Sequence, residues 1–411
     1  MNKNAMENEQ IITALDIGSS KTVVLISRVV SQNEIELIGY GVADSRGIKN
    51  GAVTNIELTS QSIHSAVEEA ELMAGVEVDD VILNITGKHL NSLNSSGVIA
   101  ITNKERVIQS SDVYRVIEAA RTVSLSSDQE MIHVLSREFK VDDQNGIKDP
   151  QGMLGVRLEA DIHIITGSRT YILNMEKAIA SAGLRVRDKV VSSLASSHSL
   201  LKEEEKDLGV AIVDIGAGII DIIVYVDGGV VFSSTIILGG QHLTQDVSIG
   251  LKTPMDAAEN LKKRYGTVDL ESVDPADTIE VPSIGERPPR MVARKELAEI
   301  MEARMREMLE LIDHELLKSG RKGILAGGVV FTGGGSLVDG LIPLAEEVIH
   351  LGVSIGYPKG LLGIADKISS PVFSTVSGLI QYWKYYGSMD RVKKKNTGLM
   401  QKIKSWVQEN L

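Results

Sequence analysis

The chain contains no cysteine, which excludes disulfides and thiolate metal sites and fits a reducing compartment. Aromatic residues make up only 4% of it, so a core must be assembled from Val, Ile, Leu, Ala and Met. No run of ~18 apolar residues occurs, so no helix is expected to cross a bilayer. The first ten residues are polar and charged without an apolar centre, and no secretory signal is expected. Positive charge is in deficit: the net charge of −12 argues against a general nucleic-acid binder. What is present is an ordinary globular composition, 43% hydrophobic and 24% charged over 411 residues. That length calls for two or more domains.

Two stretches about half the chain apart repeat one another. Asp16-Ile17-Gly18-Ser19-Ser20-Lys21-Thr22 and Asp214-Ile215-Gly216-Ala217-Gly218 each follow one apolar strand and precede another. Either turn alone could be purely structural. The pair points to a duplicated domain with a phosphate site between its halves. Glycine in a hairpin turn permits positive φ and close approach to a ligand, and successive turn N–H groups form an anion-binding concavity. An aspartate cannot face phosphate directly. Asp16 and Asp214 are therefore candidate holders of Mg²⁺, which favours one or two carboxylates together with substrate phosphates. Ser19, Ser20 and Thr22 add hydroxyls and Lys21 a cation. A third loop, Gly333-Gly334-Gly335-Ser336, follows a buried strand, with Ser336 expected to cap the next helix. Its bare glycines suit a flat adenine or ribose edge.

Periodicity organises the rest. A hairpin is expected over 11–30, strands over 35–42 and 80–85, and a helix over 58–74. The texture changes at 86–161, where a Gly/Asn/Ser-rich stretch (87–97), a helix (111–120), a strand (133–141) and a polar turn region (142–155) suggest an inserted α+β subdomain. Residues 1–85 with 162–206 would form the first core, and the acidic run 203–207 a hinge or a solvated helix end. The second core is expected over 207–238 and 327–386, interrupted by a helix-rich subdomain over 239–326 containing a long amphipathic helix at 295–317.

The two hairpins, with Asp221 after the second, and the glycine loop resemble the phosphate and adenosine motifs of the actin/Hsp70/sugar-kinase superfamily. Stretches at 116–121, 131–134, 146–159, 163–167, 239–265 and 351–370 resemble the FtsA family of bacterial cell-division proteins. The inserted subdomain is the most diagnostic feature, and the resemblance covers nearly the whole chain. It implies an α/β, duplicated actin-like (ribonuclease-H-like) fold with inserted subdomains and a cleft for ATP and Mg²⁺ between the halves. It also implies actin-like filaments, attachment of the tubulin-like protein FtsZ to the cytoplasmic face of the membrane at the division site, and recruitment of other divisome proteins. Arg304 and Glu307, on the long helix, match positions that contact the FtsZ C-terminal tail in the family. Two departures matter. The second hairpin reads Gly218-Ile219-Ile220-Asp221, without the threonine that relatives often carry. Residues 190–201, matching the connecting helix that positions attacking water in stronger ATPases, offer only Ser196, Ser197 and His198 near their centre. Firm nucleotide binding with slow or no turnover is expected, because hydrolysis needs a residue that orients water. A small-molecule kinase and a pilus-assembly scaffold of the same fold are the rival readings.

The C-terminal 25 residues carry six basic and two acidic side chains, an asymmetry on an acidic protein. Leu399, Met400, Ile403, Trp406, Val407 and Leu411 fall on one helical face, after a basic stretch (387–398) suited to a linker. A short basic amphipathic helix with tryptophan is the pattern of an interfacial membrane anchor; docking on the protein's own body or on a partner groove is the alternative. Removing residues 399–411 is expected to abolish co-sedimentation with anionic vesicles. Undiminished sedimentation would assign the segment to a protein groove.

Overall fold

The computed structural model describes residues 10–31, 34–285 and 287–395, with residues 387–395 described by their backbone alone. The apolar tail positions Leu399, Met400, Ile403, Trp406, Val407 and Leu411 lie outside the described residues. The first half opens with an antiparallel meander, β1 (Ile11–Ile17), β2 (Lys21–Val29) and β3 (Ile35–Asp44), followed by the small pair β4 (Ile48–Lys49) and β5 (Ala52–Val53). Helix α1 (Ile56–Ala74) starts where the Asn55 side chain accepts from the Leu58 N–H at 3.0 Å and ends at Gly75, φ 69°. It lies tightly on the sheet because Gly41 has no Cβ to strike the Ala66 carbonyl. Strand β6 (Asp80–Ile85) then pairs in parallel with β1.

The inserted subdomain comprises β7 (Asn91–Ala100), α2 (Ser110–Ala120), β8 (Gln129–Val141), β9 (Gln144–Ile147) and β10 (Arg157–Ser168). Its sheet runs β7–β10–β8–β9, and α2 closes an apolar core that includes Val113, Ile117, Phe139 and Ile162. The first core resumes with α3 (Arg169–Ser181), β11 (Arg185–Val191) and α4 (Ser192–Leu200).

The second half begins with α5 (Glu203–Leu208) and repeats the meander as β12 (Val210–Ile215), β13 (Ile220–Val226) and β14 (Gly229–Ile236). Helices α6 (Gly240–Gly250) and α7 (Met255–Tyr265), the pair β15 (Thr278–Val281) and β16 (Arg290–Ala293), and α8 (Arg294–Lys318) form the helix-rich part. The core is completed by β17 (Val329–Thr332), α9 (Leu341–Ile349), β18 (Val353–Ile355), β19 (Leu362–Gly363) and α10 (Ser374–Lys395). The duplication is explicit in the strand orders β3–β2–β1–β6–β11 and β14–β13–β12–β17–β18; β19 joins the outer edge of the first sheet.

Three expectations need correction, and for the acidic run the structure decides between the two alternatives in favour of a helix. The Gly/Asn/Ser-rich stretch is largely strand β7, where Gly97 lets α2 approach the sheet at Ala120. The boundary expected at 161/162 falls inside β10, which runs unbroken through the inserted sheet. The acidic run is helix α5, anchored by buried Lys206, whose Nζ lies 2.8 Å from Glu203 and 5.5 Å from the Tyr225 ring centroid. Residues 387–395, expected as linker, continue the helical backbone of α10.

Between the two sheets lie α4 and α10, sharing one apolar core in which Leu194, Val376, Leu379 and Ile380 meet strands of both halves. The helices cross where Gly378 rests against the Ala195 carbonyl, and a Cβ at 378 would overlap it. Gly378→Ala is therefore expected to destabilise the protein by at least about 1–3 kcal/mol, the usual cost of overpacking, measured by urea unfolding. A cost near zero would mean that this crossing does not constrain the fold.

Candidate functional site

The two Asp-Ile-Gly turns have the same build. Gly18 N–H donates to the Lys21 carbonyl at 3.0 Å, and Gly216 N–H to that of Ile219 at 2.9 Å. Antiparallel register places Asp16 across from Val23 and Asp214 across from Asp221. The turns face one another: a Cβ on Gly218 would lie 2.8 Å from Asn50 Oδ1 and 3.0 Å from Ser19 Oγ. Gly333, at φ 79°, lies against the Asp214 carboxylate, and Gly335 against Ile215. Helix α6 is locked beneath the second turn, with Gly240 N–H donating to Gly216 at 3.0 Å and Gln241 N–H to Ala217 at 2.8 Å.

Hydroxyls from distant segments fix the carboxylates. Ser196 of α4 and Thr375 of α10 donate to the same oxygen of Asp214, at 3.0 and 3.1 Å. Thr86, just beyond β6, and Thr235 of β14 donate to the two oxygens of Asp221, at 2.6 and 2.8 Å. Burial pushes the Asp16 carboxyl up to about 7; nearby Lys21 opposes this, while Asp214 and Asp221 reinforce it. Asp221 is likewise raised to about 7 by burial, against its two hydroxyl donors. Asp214 is raised by the same cause. Lys21 is lowered by burial, and its Nζ lies 4.3 Å from the Phe373 ring centroid. Three crowded carboxylates with one nearby ammonium leave a site short of positive charge. Among the described residues no three His, Asp or Glu side chains gather into a metal cage. Mg²⁺ takes one or two carboxylates and completes its shell with waters and phosphates. Asp16 and Asp214 thus fit such an ion in charge and number.

Not every expected residue reaches this point. Gly18, Ser19, Lys21, Asp16, Asp214, Gly216, Ala217 and Gly218 come together, with Ser20 exposed at the tip. Thr22 is fully buried, and its hydroxyl pairs with Ser45 at 2.9 Å, because alternation along β2 turns it inward. Asp221 has both oxygens engaged by threonines. Ser336 caps no helix: its buried hydroxyl donates to the Gly333 carbonyl at 2.8 Å, and α9 starts only at Leu341. Gly334 alone of the third loop is exposed. On α4, Ser197 bonds the Tyr225 hydroxyl at 2.7 Å. His198 packs edge-on to Tyr382 with centroids 5.5 Å apart, held neutral by burial that lowers it to about 3. Arg304 spans α8 and α6, gripping Asp246 (Nη2 to Oδ1, 3.2 Å) and pairing with half-exposed Glu307. Thr86, Thr235 and Thr375 were missed by sequence reasoning. No local motif marks them, since each meets its carboxylate only through the fold.

Two duplicated sheets, two central helices and opposed turns define an actin-like protein, and solved structures of that fold superpose on it. The PilM–PilN type IV pilus biogenesis complex matches with TM-score 0.65 at 15% identity, covering 90% of this chain and 97% of that one. MreB5 of Spiroplasma citri bound to ADP matches with TM-score 0.56 at 12% identity, covering 95% and 99%. Family models narrow the class: "Cell division protein FtsA" matches residues 211–378, and "SHS2 domain inserted in FTSA" matches residues 87–166. The cell division protein FtsA of Pseudomonas aeruginosa is 38% identical over 416 aligned residues, with 99% of each chain covered. That of Escherichia coli K12 is 36% identical, covering 92% of this chain and 91% of its own. The chain belongs to the FtsA family of cell division proteins.

The carboxyls set a pH dependence. Asp16 and Asp221 hold protons more tightly folded than unfolded, so folding takes up protons and rising pH opposes it. Their contribution is lost progressively from the ordinary value of 3.8 up through about 7. Ligand-free stability, measured by urea unfolding without Mg²⁺, should therefore fall between about pH 4 and pH 8. Asp221→Asn should flatten that fall, and an unchanged slope would count against a protonated Asp221.

Proposed function

We propose that the protein is a nucleotide-gated scaffold. It binds Mg²⁺-ATP between its halves, turns it over slowly or not at all, assembles into actin-like filaments, and links FtsZ to the cytoplasmic face of the membrane at the division site, where other divisome proteins join. The observation carrying this reading is the opposition of the Gly18 and Gly216 turns, with Asp16, Lys21 and Asp214 between them. Backbone N–H groups of the two turns would bind phosphates and the Lys21 ammonium would balance their charge. Asp16 and Asp214 would hold Mg²⁺ through water, and the third loop would meet the adenosine at Gly334, its exposed glycine. Bound there, the Mg²⁺ ion would place positive charge between the carboxylates and the ATP phosphates, and the nucleotide would bridge the halves. Hydrolysis needs water held in line. Residues 190–201 contain no Asp, Glu, Asn or Gln, and the Ser196 hydroxyl is committed to Asp214.

Support for self-assembly comes from the fold, which is shared with a MamK double helical filament at TM-score 0.52. Support for membrane attachment comes from the basic amphipathic C-terminal sequence. For the FtsZ tail, α8 offers Glu307 and the Arg304–Asp246 pair as a rigid polar face.

Titration with a fluorescent ATP analogue should show Mg²⁺-dependent binding that Asp214→Asn weakens at least about tenfold, a loss of ~1.4 kcal/mol. Turnover should stay below kinase rates of roughly 1–100 per second. Binding indifferent to Mg²⁺ and to this substitution, or kinase-like turnover, would overturn the proposal.

A further inference from the structure

The small polar residues of the inserted subdomain form a seam with the second half. Ser92 on β7 donates to the Ser233 carbonyl at 2.7 Å, and the Asn94 amide to the Val231 carbonyl at 3.0 Å. Buried His163 on β10 lies between them, with Nδ1 2.8 Å from Asn94 Oδ1 and Nε2 3.0 Å from Ser233 Oγ. Because the Asn94 amide already donates to Val231, its oxygen faces the imidazole. The proton therefore belongs on Nδ1, and Ser233 donates to Nε2. Two residues further along β14, Thr235 shares Asp221 with Thr86 of the first half. The row Thr86, Ser92, Asn94 thus meets Asp221, Ser233 and Val231.

Strands β7 and β14 are each the edge of their own sheet, and no main-chain ladder joins them. Side chains make the junction instead, and such bonds exchange for water at small net cost. Close by, the Arg137 backbone packs on Gly229, and Arg137 Nε is buried without a partner. A buried donor left without a partner weakens the interface that covers it. At the other end, the halves share the apolar core around α4 and α10. That core reaches Val230 at the start of β14 and Leu135 on β8, so the part of the junction able to open is the polar row beyond it, at Ser92, Asn94, His163 and Ser233. Strand β14 is the third strand of the meander that carries the Gly216 turn. Parting Gly218 from Ser19 therefore also pulls Asp221 from Thr86 and β14 from β7.

We propose that β7 is a releasable clasp on the cleft: Thr86, Ser92, Asn94 and His163 close on β13 and β14 as the halves close and release them as they open. The inserted subdomain then follows the state of the cleft. What closes the cleft rests on the nucleotide reading above; the clasp itself does not.

The native chain has no cysteine, so the full-length Ser92→Cys/Ser233→Cys variant reports the clasp directly. Its disulfide should form at least about threefold faster with Mg²⁺-ATP than without, while analogue fluorescence records binding in the same sample. Binding without a change in rate overturns the clasp and leaves the nucleotide reading intact. If nothing binds, the nucleotide reading fails, and a second measurement decides the clasp. Asn94→Ala should raise amide exchange at β14 and at residues 216–218 by about tenfold, equivalent to ~1.4 kcal/mol. Ser96→Ala, on the same strand but bonded to Asp161 within its own sheet, should not. Equal exchange in both variants would overturn the clasp.

Discussion

The close crossing of α4 and α10 is the contact on which the rest of the molecule depends. Gly378 meets the Ala195 carbonyl in a layer shared by both sheets, so neither half has a complete core without it. Next to that contact on α4 and one turn before it on α10, Ser196 and Thr375 reach the same oxygen of Asp214. A carboxylate at the cleft is thereby tied to both helices that join the halves. A change in its charge or ligation alters two hydrogen bonds at the pivot, with no intervening chain of contacts.

Duplication has not produced two equal turns. The first carries serines and a lysine, while the second is nearly bare and ends in Gly218, pressed against Ser19 and Asn50. Side chains on both turns would fill the gap between them. A donor-rich turn facing a bare one leaves room for backbone to approach from one side and charge from the other. The absent threonine after Gly218 belongs to the same asymmetry: hydroxyls near Asp221 arrive from Thr86 and Thr235 instead.

Much of the architecture was legible. The paired hairpins, α1 and α8 announce themselves through periodicity and turn residues, the two glycine turns and the change of texture marked a duplicated domain with an insertion, and the actin-like fold was implied by the family resemblance. What escaped was whatever tertiary context decides. Strand β7 is written in Asn, Ser and Gly, which read as loop; it is a strand because Gly97 packs under α2 and its polar face meets β14. Thr22 and Ser336 carry suitable hydroxyls in suitable motifs, yet strand alternation and a tight 3₁₀ turn direct them inward. The threonines around Asp214 and Asp221 lie far away in sequence, where no spacing rule could connect them. The acidic run left hinge and helix end undecided because its anchor, Lys206, is a residue type rarely found buried.

The unbroken course of α10 has a mechanical consequence. From Gly378 at the crossing to Lys395 the helix continues without interruption, a rigid arm of about 25 Å at 1.5 Å per residue. A tilt of about 10° at the pivot would sweep its far end through ~4 Å, about five times the ~0.8 Å movement it would give at Thr375 beside Asp214. Arg391, Lys393, Lys394 and Lys395 therefore stand on the end of a lever whose fulcrum is the hinge between the two halves.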